Sequence, residues 1–145
     1  PMRVDFFNKL SDYKQVDGWG KPFGNWSDGE DHKYSILSNY KFSICFENSI
    51  SPSGGYYTEK LFHAKTAGTL PIYWSDSRCS EDFNPNGFLN LNDYPSMDSL
   101  VEKVIEIDND DILYDSYTSE PLFSNSKLNP SMRPKSVLNF IENLL

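Results

Sequence analysis

The stretch FENSISPSGGYYTEKLF, residues Phe46–Phe62, joins an apolar segment to a helical segment through a polar loop. Its two adjacent glycines suit a turn with positive φ, where the backbone can approach a ligand closely. Thr58 is placed to cap the helix that follows. Lys60 is unusual there, because a helix start carries partial positive charge and favours Asp or Glu. A lysine becomes favourable at this position if it and the helix start together attract an anion such as phosphate.

Other side chains of this stretch suit a phosphorylated sugar. Tyr56 and Tyr57 can donate hydroxyl groups to phosphate or sugar oxygens. Asn48 can donate and accept, and Glu59 can accept from two sugar hydroxyls. A carboxylate beside a phosphate is unfavourable unless it accepts hydrogen bonds, for example from sugar hydroxyls. These side chains together therefore indicate a nucleoside diphosphate sugar. The alternative interpretation is a plain capped helix after a flexible turn.

Predicted strands and amphipathic helices alternate on both sides of this stretch. The strands are predicted at 41–48, 69–74 and 88–91, and the helices at 6–13, 32–40, 58–68, 96–107 and 133–145. A loop is predicted at 18–31, a short helix or turn at 80–87, and irregular or weakly helical structure at 109–123. This alternation predicts an α/β fold, a Rossmann-like parallel sheet with helices on both faces. Ligands of such sheets bind beyond the carboxyl ends of the strands.

Composition limits the classes of function. The 145 residues suit one domain, residues 1–145, and no apolar run reaches the length of a membrane span. The formal net charge of −8 argues against nucleic acid as a partner. The absence of a Walker A or GxGxxG pattern disfavours P-loop enzymes and dinucleotide dehydrogenases. The acidic run Asp108–Asp111 follows a helix, so a solvated face is favoured over a metal site.

The two cysteines indicate a reducing compartment. Cys45 lies in the apolar run FSICF and is predicted to be buried, whereas Cys79 is predicted to lie in a polar loop. Neither has the spacing of a metal-binding motif. We therefore expect a cytoplasmic location.

Four blocks of the sequence occur in order within residues 40–91: YKFSICFENS, YYTEKLF, AGTLPIYWSDS and DFNPNGFLNL. Together they resemble the α1,3-fucosyltransferases, glycosyltransferase family 10. The segment RVDFFNKLSDYKQVD, which begins at Arg3, is also similar to the family, and the likeness fades after about Asp108. The family implies a GT-B fold, in which two Rossmann-like halves enclose the active site. This chain resembles the C-terminal half, which binds the donor GDP-L-fucose.

The resemblance implies donor-binding roles for five residues. Arg3 and Lys60 match two cations on the diphosphate. Tyr56 matches a tyrosine at the donor phosphates, and Glu59 matches a glutamate that contacts donor hydroxyls. Asn48 matches the asparagine of the FENS block, which also lies at the donor.

Two further residues are candidates. Glu47, the last residue of its predicted strand, either contacts the donor or orients the loop. The loop from Asn48 to Tyr56 is longer than is usual in the family, so Tyr57 competes with Tyr56 for the tyrosine position.

The resemblance implies that L-fucose passes from GDP-fucose to a glycan acceptor with inversion, in one displacement without a metal or another cofactor. Arg3 and Lys60 then stabilise the charge that grows on the leaving phosphate. The general base belongs to the N-terminal acceptor half, so no catalytic residue is assigned in this chain and the chain alone is expected to be inactive. A non-catalytic nucleotide-sugar-binding or interaction module and a transferase that uses another GDP-sugar are the alternatives.

Family features that are missing from this sequence lead to further expectations. The family places a strand directly before Arg3, and Pro1 precedes Met2 here, so we expect the protein to continue upstream. The cysteine-rich ending of animal members is missing, which favours a bacterial or viral type. A face built for the other half would be apolar, which makes a homodimer a further expectation.

Overall fold

The computed structural model describes residues 2–18, 30–50, 54–76, 78–124 and 134–135. Within these residues the elements are, in chain order, α1 (Met2–Ser11), α2 (Glu30–Leu37), β1 (Phe42–Phe46), α3 (Lys60–Thr66), β2 (Leu70–Trp74), α4 (Cys79–Asp82), β3 (Leu89–Asn90), α5 (Met97–Asp108) and α6 (Asp111–Thr118). Short 3₁₀ turns span Pro85–Gly87 and Leu91–Asp93. The predicted alternation of strands and helices is confirmed. None of the described helices has the length and apolarity needed to cross a membrane.

The strands form one parallel sheet in the order β1-β2-β3. Phe42 lies opposite Leu70 at the start of β1, Phe46 lies opposite Trp74 at its end, and Ile72 lies opposite Leu89 in β3. Because successive side chains of a strand point to opposite faces, each face of this sheet receives its own apolar set.

Two buried clusters cover the two faces of the sheet. On one face the apolar sides of α1 and α5 pack on the strands, through Phe6, Leu10, Phe46, Leu70, Ile72, Leu89, Leu100, Val104 and Ile107. On the other face, α3, α4 and the residues just after α4 pack on β1 and β2. The buried residues of this cluster are Cys45, Leu61, Ala64, Tyr73, Cys79, Phe83 and Phe88. The predicted α/β sheet with helices on both faces is therefore confirmed.

Some local predictions differ from the structure. Helix α1 begins at Met2 rather than Phe6, which places Arg3 in its first turn. Cys79 is fully buried within α4 instead of lying in a polar loop, because the sheet face beneath α4 is apolar. The segment after α5 forms a regular helix, since the side chain of Asp110 accepts a hydrogen bond from the Leu113 backbone N–H, 3.0 Å away.

The acidic run after α5 takes part in ion pairs. Asp108 is nearly buried and accepts from Lys14 Nζ at 2.9 Å and from the Tyr13 hydroxyl at 3.0 Å. Burial opposes its charge, but these hydrogen bonds outweigh burial and hold the pKa of Asp108 below its ordinary value. Lys41 pairs with Asp111 at 3.0 Å. Asp108 therefore ties the end of α5 to the segment that follows α1. Asn109, Asp110 and Asp111 are exposed, so the predicted solvated face is confirmed except at Asp108.

Most of the predicted loop at 18–31 and most of the predicted final helix at 133–145 lie outside the described residues. Pro134 and Lys135 are helical, as the sequence predicts.

The packing of α1 on the sheet is open to a direct test. Phe6 is fully buried, and its ring centroid lies 5.1 Å from that of Phe46. Phe6→Ala should lower the free energy of unfolding by about 3–5 kcal/mol, because it leaves a cavity under α1. Val4→Ala, on the same helix but exposed, should cost no more than about 0.5 kcal/mol. Chemical denaturation measures both, and equal losses would contradict this packing.

Candidate functional site

The predicted site residues converge on the carboxyl edge of the sheet. Glu47 and Asn48 follow directly after β1, and Asp76 follows closely after β2. The chain returns to the same edge before α3: the Tyr56 backbone N–H donates to Asp76 at 3.2 Å, and the Thr58 backbone N–H donates to Glu47 at 2.9 Å. This is the edge at which parallel α/β sheets bind their ligands.

A buried carboxylate lies at the centre of this edge. The side chain of Glu47 has no exposed surface. One of its oxygens accepts from the Thr58 backbone N–H at 2.9 Å and from the Tyr73 hydroxyl at 3.1 Å. The other accepts from Lys60 Nζ and from the Thr58 hydroxyl, each at 2.8 Å. Glu47 thus joins β1, β2 and the start of α3.

Lys60 is paired with this carboxylate. Its ammonium group donates to Glu47 at 2.8 Å and to the Thr58 hydroxyl at 2.7 Å, and its side chain remains 22% exposed. The lysine that is unfavourable at a helix start is therefore balanced by a buried negative charge. It still reaches the surface, where an anion can approach it.

The prediction that Thr58 caps α3 is wrong. The helix begins at Lys60, Glu59 occupies the cap position without a side-chain cap hydrogen bond, and the Thr58 hydroxyl is engaged with Glu47. The predicted end of the helix is confirmed, because Gly68 follows α3 with φ of 81°.

Arg3 ties α1 to the carboxyl end of β1. Its guanidinium donates to the backbone carbonyl of Phe46 and to the Asn48 side-chain oxygen, the latter at 2.9 Å. Two of the predicted donor residues are thus in direct contact, although they lie 45 positions apart in the sequence. Sequence reasoning could not place this contact, because it depends on how α1 packs on the sheet.

A cavity of about 600 Å³ runs beside β1 and reaches this edge. At the carboxyl end of β1 it is lined by Arg3, Glu59 and Lys60, and by Lys33 of α2. Lys33 Nζ lies 2.6 Å from His63 Nδ1 and 4.0 Å from the Glu59 carboxylate. Sequence reasoning missed Lys33, because nothing in the local pattern shows that α2 packs against α3.

Glu59 is held in its charged form. A hydrogen bond from its own backbone N–H, together with the nearby charges of Lys60 and Lys33, lowers the pKa of this carboxyl group. The carboxylate is exposed, so it is free to accept hydrogen bonds from hydroxyl groups of a ligand.

The structure separates the two tyrosines of the loop. Gly54 and Gly55 have φ of 78° and 81°, which confirms the predicted glycine turn. Tyr56 follows them with an exposed side chain. The ring of Tyr57 instead packs on Phe83, with centroids 5.5 Å apart, and burial raises the pKa of its hydroxyl. Tyr56 is therefore the tyrosine that a ligand at this edge can reach.

Asp76 is a further residue that sequence reasoning missed. Its carboxylate is nearly buried and accepts from the Tyr56 and Arg78 backbone N–H groups, at 3.2 and 3.0 Å. It fixes the loop that carries Tyr56, and its position directly after a buried strand is the signal that could have identified it. No group of three or more His, Cys, Asp or Glu side chains suited to a metal ion occurs in the described part of the chain.

A parallel α/β sheet with cations and a charged carboxylate at the carboxyl ends of its strands defines an α/β domain whose ligand edge suits an anion. The family model described as glycosyltransferase family 10 (fucosyltransferase) C-term matches residues 1–120, and the chain belongs to this family. The predicted family is therefore confirmed.

Named relatives are similar over most of this chain. An alpha-(1,3)-fucosyltransferase of Helicobacter pylori is 35% identical over 104 residues, which cover 72% of this chain and 21% of the relative. The human 4-galactosyl-N-acetylglucosaminide 3-alpha-L-fucosyltransferase 9 is 34% identical over 117 residues, which cover 79% of this chain and 32% of that protein. The chain thus spans less than a third of either relative.

A solved structure has the same fold. The crystal structure of an alpha1,3-fucosyltransferase with GDP-fucose matches 99% of this chain and 43% of its own chain, with a TM-score of 0.85 and 29% sequence identity. A crystal structure of an alpha1,3-fucosyltransferase with GDP matches this chain with a TM-score of 0.84. The predicted fold class, one half of a GT-B glycosyltransferase, is confirmed by this match.

The hydrogen bond from Tyr73 to Glu47 predicts a dependence of stability on alkaline pH. Burial, followed by the charge of Glu47, raises the pKa of the Tyr73 hydroxyl in the folded protein. Its stabilising contribution is therefore complete below the ordinary tyrosine pKa of about 10 and is lost as the pH rises above that value.

Wild type should consequently lose more unfolding free energy than Tyr73→Phe between about pH 9 and about pH 12. Denaturant titrations at several pH values measure this difference. The other tyrosines are present in both proteins, so they cancel in the comparison. Equal losses in the two proteins would show that folding does not raise the pKa of Tyr73.

Proposed function

We propose that this chain binds GDP-fucose as the donor-binding part of a fucosyltransferase, which transfers L-fucose to a glycan acceptor with inversion. The observation that carries the proposal is the convergence of Arg3, Lys33 and Lys60 with the charged Glu59 at one end of a single cavity. Three cations suit a diphosphate, and an exposed carboxylate suits sugar hydroxyls. The similarity to a crystal structure of an alpha1,3-fucosyltransferase with GDP-fucose supports fucose over another GDP-linked sugar.

Each predicted donor residue has a part in this function. Lys60 and Arg3 contact the diphosphate and stabilise the negative charge that grows on it as the bond to fucose breaks. Tyr56 donates its exposed hydroxyl to a phosphate oxygen. Glu59 accepts from hydroxyls of ribose or fucose, and Asn48, held by Arg3, contacts the donor beside it.

The reaction also needs a group to remove the proton of the acceptor hydroxyl. We assign that base to the other half of the enzyme, and the acceptor site with it. The cations of this chain supply the positive charge that a metal ion supplies at other phosphate sites, so the proposal includes no metal. A non-catalytic binding module would share the donor site but not the transfer of fucose.

Titration of the intact protein with GDP, GDP-fucose and UDP tests the donor assignment. GDP and GDP-fucose should bind and UDP should not. Lys60→Gln should weaken both guanine nucleotides about tenfold to hundredfold, the loss expected when one charged hydrogen bond to the phosphates is removed. Glutamine removes the charge and keeps an N–H donor on the side chain.

Lys103→Gln is the matched control, because Lys103 pairs with Glu106 on α5 and does not line the cavity. It should leave the affinity unchanged. If Lys60→Gln binds GDP as wild type does, the site is not where we place it. An activity assay of the intact protein then distinguishes the two functions. An enzyme releases GDP and forms fucosylated product, whereas a binding module does neither.

Lys33 gives a second, independent test. We infer that it is a third cation of the donor site, so Lys33→Gln should weaken GDP binding about tenfold, the loss expected for one charged hydrogen bond. Lys41→Gln removes the same charge from the other end of the same cavity, where Lys41 pairs with Asp111. It should change the affinity less than about twofold. If Lys33→Gln and Lys41→Gln weaken GDP binding equally, the affinity depends only on the net charge of the protein.

A further inference from the structure

We propose that Glu47 is a positioning residue that holds the Lys60 ammonium group at the donor phosphates and does not itself contact the donor. This role rests on the proposed function, because it names how one residue of that donor site is kept in place.

Exposure separates the two members of the pair. The Glu47 side chain is 0% exposed, whereas the Lys60 side chain is 22% exposed. A ligand at the edge of the sheet can therefore reach the ammonium group and cannot reach the carboxylate. This excludes donor contact, one of the two roles that the sequence left open for Glu47.

The geometry leaves Lys60 with one hydrogen-bond donor for a ligand. An ammonium group has three N–H donors. One is engaged by Glu47 at 2.8 Å and one by the Thr58 hydroxyl at 2.7 Å. Because the first two directions are fixed, the direction of the third is fixed as well.

The carboxylate is itself held from two other elements. The Tyr73 hydroxyl reaches it from β2 at 3.1 Å, and the Thr58 backbone N–H reaches it from the loop at 2.9 Å. A lysine side chain loses considerable rotamer entropy when a ligand orders it. Here that ordering takes place on folding, before the donor binds, which is how preorganised sites increase affinity.

If charge alone matters, Glu47 has the opposite effect on GDP affinity. A carboxylate beside a phosphate site repels the phosphate, so removing its charge should tighten binding if charge alone matters. If Glu47 acts by positioning Lys60, removing its charge should weaken binding. The sign of the change in affinity therefore distinguishes the two.

The experiment is titration of the intact Glu47→Gln protein with GDP and with guanosine. GDP should bind about tenfold more weakly than to wild type, the loss expected when one charged hydrogen bond to the phosphate is impaired. Guanosine has no phosphate, so its affinity should stay unchanged. A merely structural role of Glu47 would lower the affinity for both.

A double-mutant cycle shows whether Glu47 acts through Lys60. In the Lys60→Gln background, the additional Glu47→Gln change should have almost no effect on GDP affinity, because there is no ammonium group left to position. An undiminished effect in that background overturns the proposal, as does tighter GDP binding by the Glu47→Gln single variant.

Thr58→Val provides a milder variant if Glu47→Gln fails to fold. It removes the hydroxyl that bridges Glu47 and Lys60, and it should weaken GDP binding in the same direction while sparing guanosine. If wild type binds GDP and neither Glu47→Gln nor Thr58→Val changes the affinity, the positioning role alone is overturned. No GDP binding by wild type overturns the proposed function, and the positioning role with it.

Discussion

The buried ion pair between Glu47 and Lys60 is the interaction on which the candidate site depends. A fully enclosed carboxylate is costly unless every oxygen has donors, and here the donors come from Thr58, Lys60 and Tyr73. These residues belong to the loop, α3 and β2, so satisfying one charge fixes three segments relative to β1. The exposed side of Lys60 is the part of this arrangement that a ligand can reach. Stability and the proposed donor binding thus share one set of contacts.

The parallel sheet explains why these contacts are available at one place. All three strands end at the same edge, and the chain leaves each strand there through a polar connection. The opposite faces are closed by α1 and α5 on one side and by α3 and α4 on the other. Arg3 reaches the edge because α1 starts beside it, and Lys33 reaches it because α2 packs near α3. The family to which the chain belongs is consistent with this use of the edge.

The fold was predictable from local patterns, and the site only in part. Apolar runs such as FSICF and LPIYW and the amphipathic helix Met97–Asp108 determine the strands and the helix with little ambiguity. The glycine turn and Gly68 follow from backbone sterics, which act within a few residues. The roles of Thr58, Cys79 and Lys33 were not predictable, because each depends on a partner from a distant segment. Thr58 has ordinary capping chemistry, and only the buried carboxylate of Glu47 diverts it.

A crystal structure of the intact protein with GDP bound would show whether Glu47 holds Lys60 at the donor phosphates. We expect the diphosphate at the carboxyl edge of the sheet, with one oxygen accepting from Lys60 Nζ at about 2.8 Å, the length typical of a charge-assisted hydrogen bond. The bond from Lys60 to Glu47 should persist in that complex, with Arg3 on the same diphosphate. A diphosphate beyond the reach of Lys60, or a Lys60 that leaves Glu47 in order to bind it, would contradict the account.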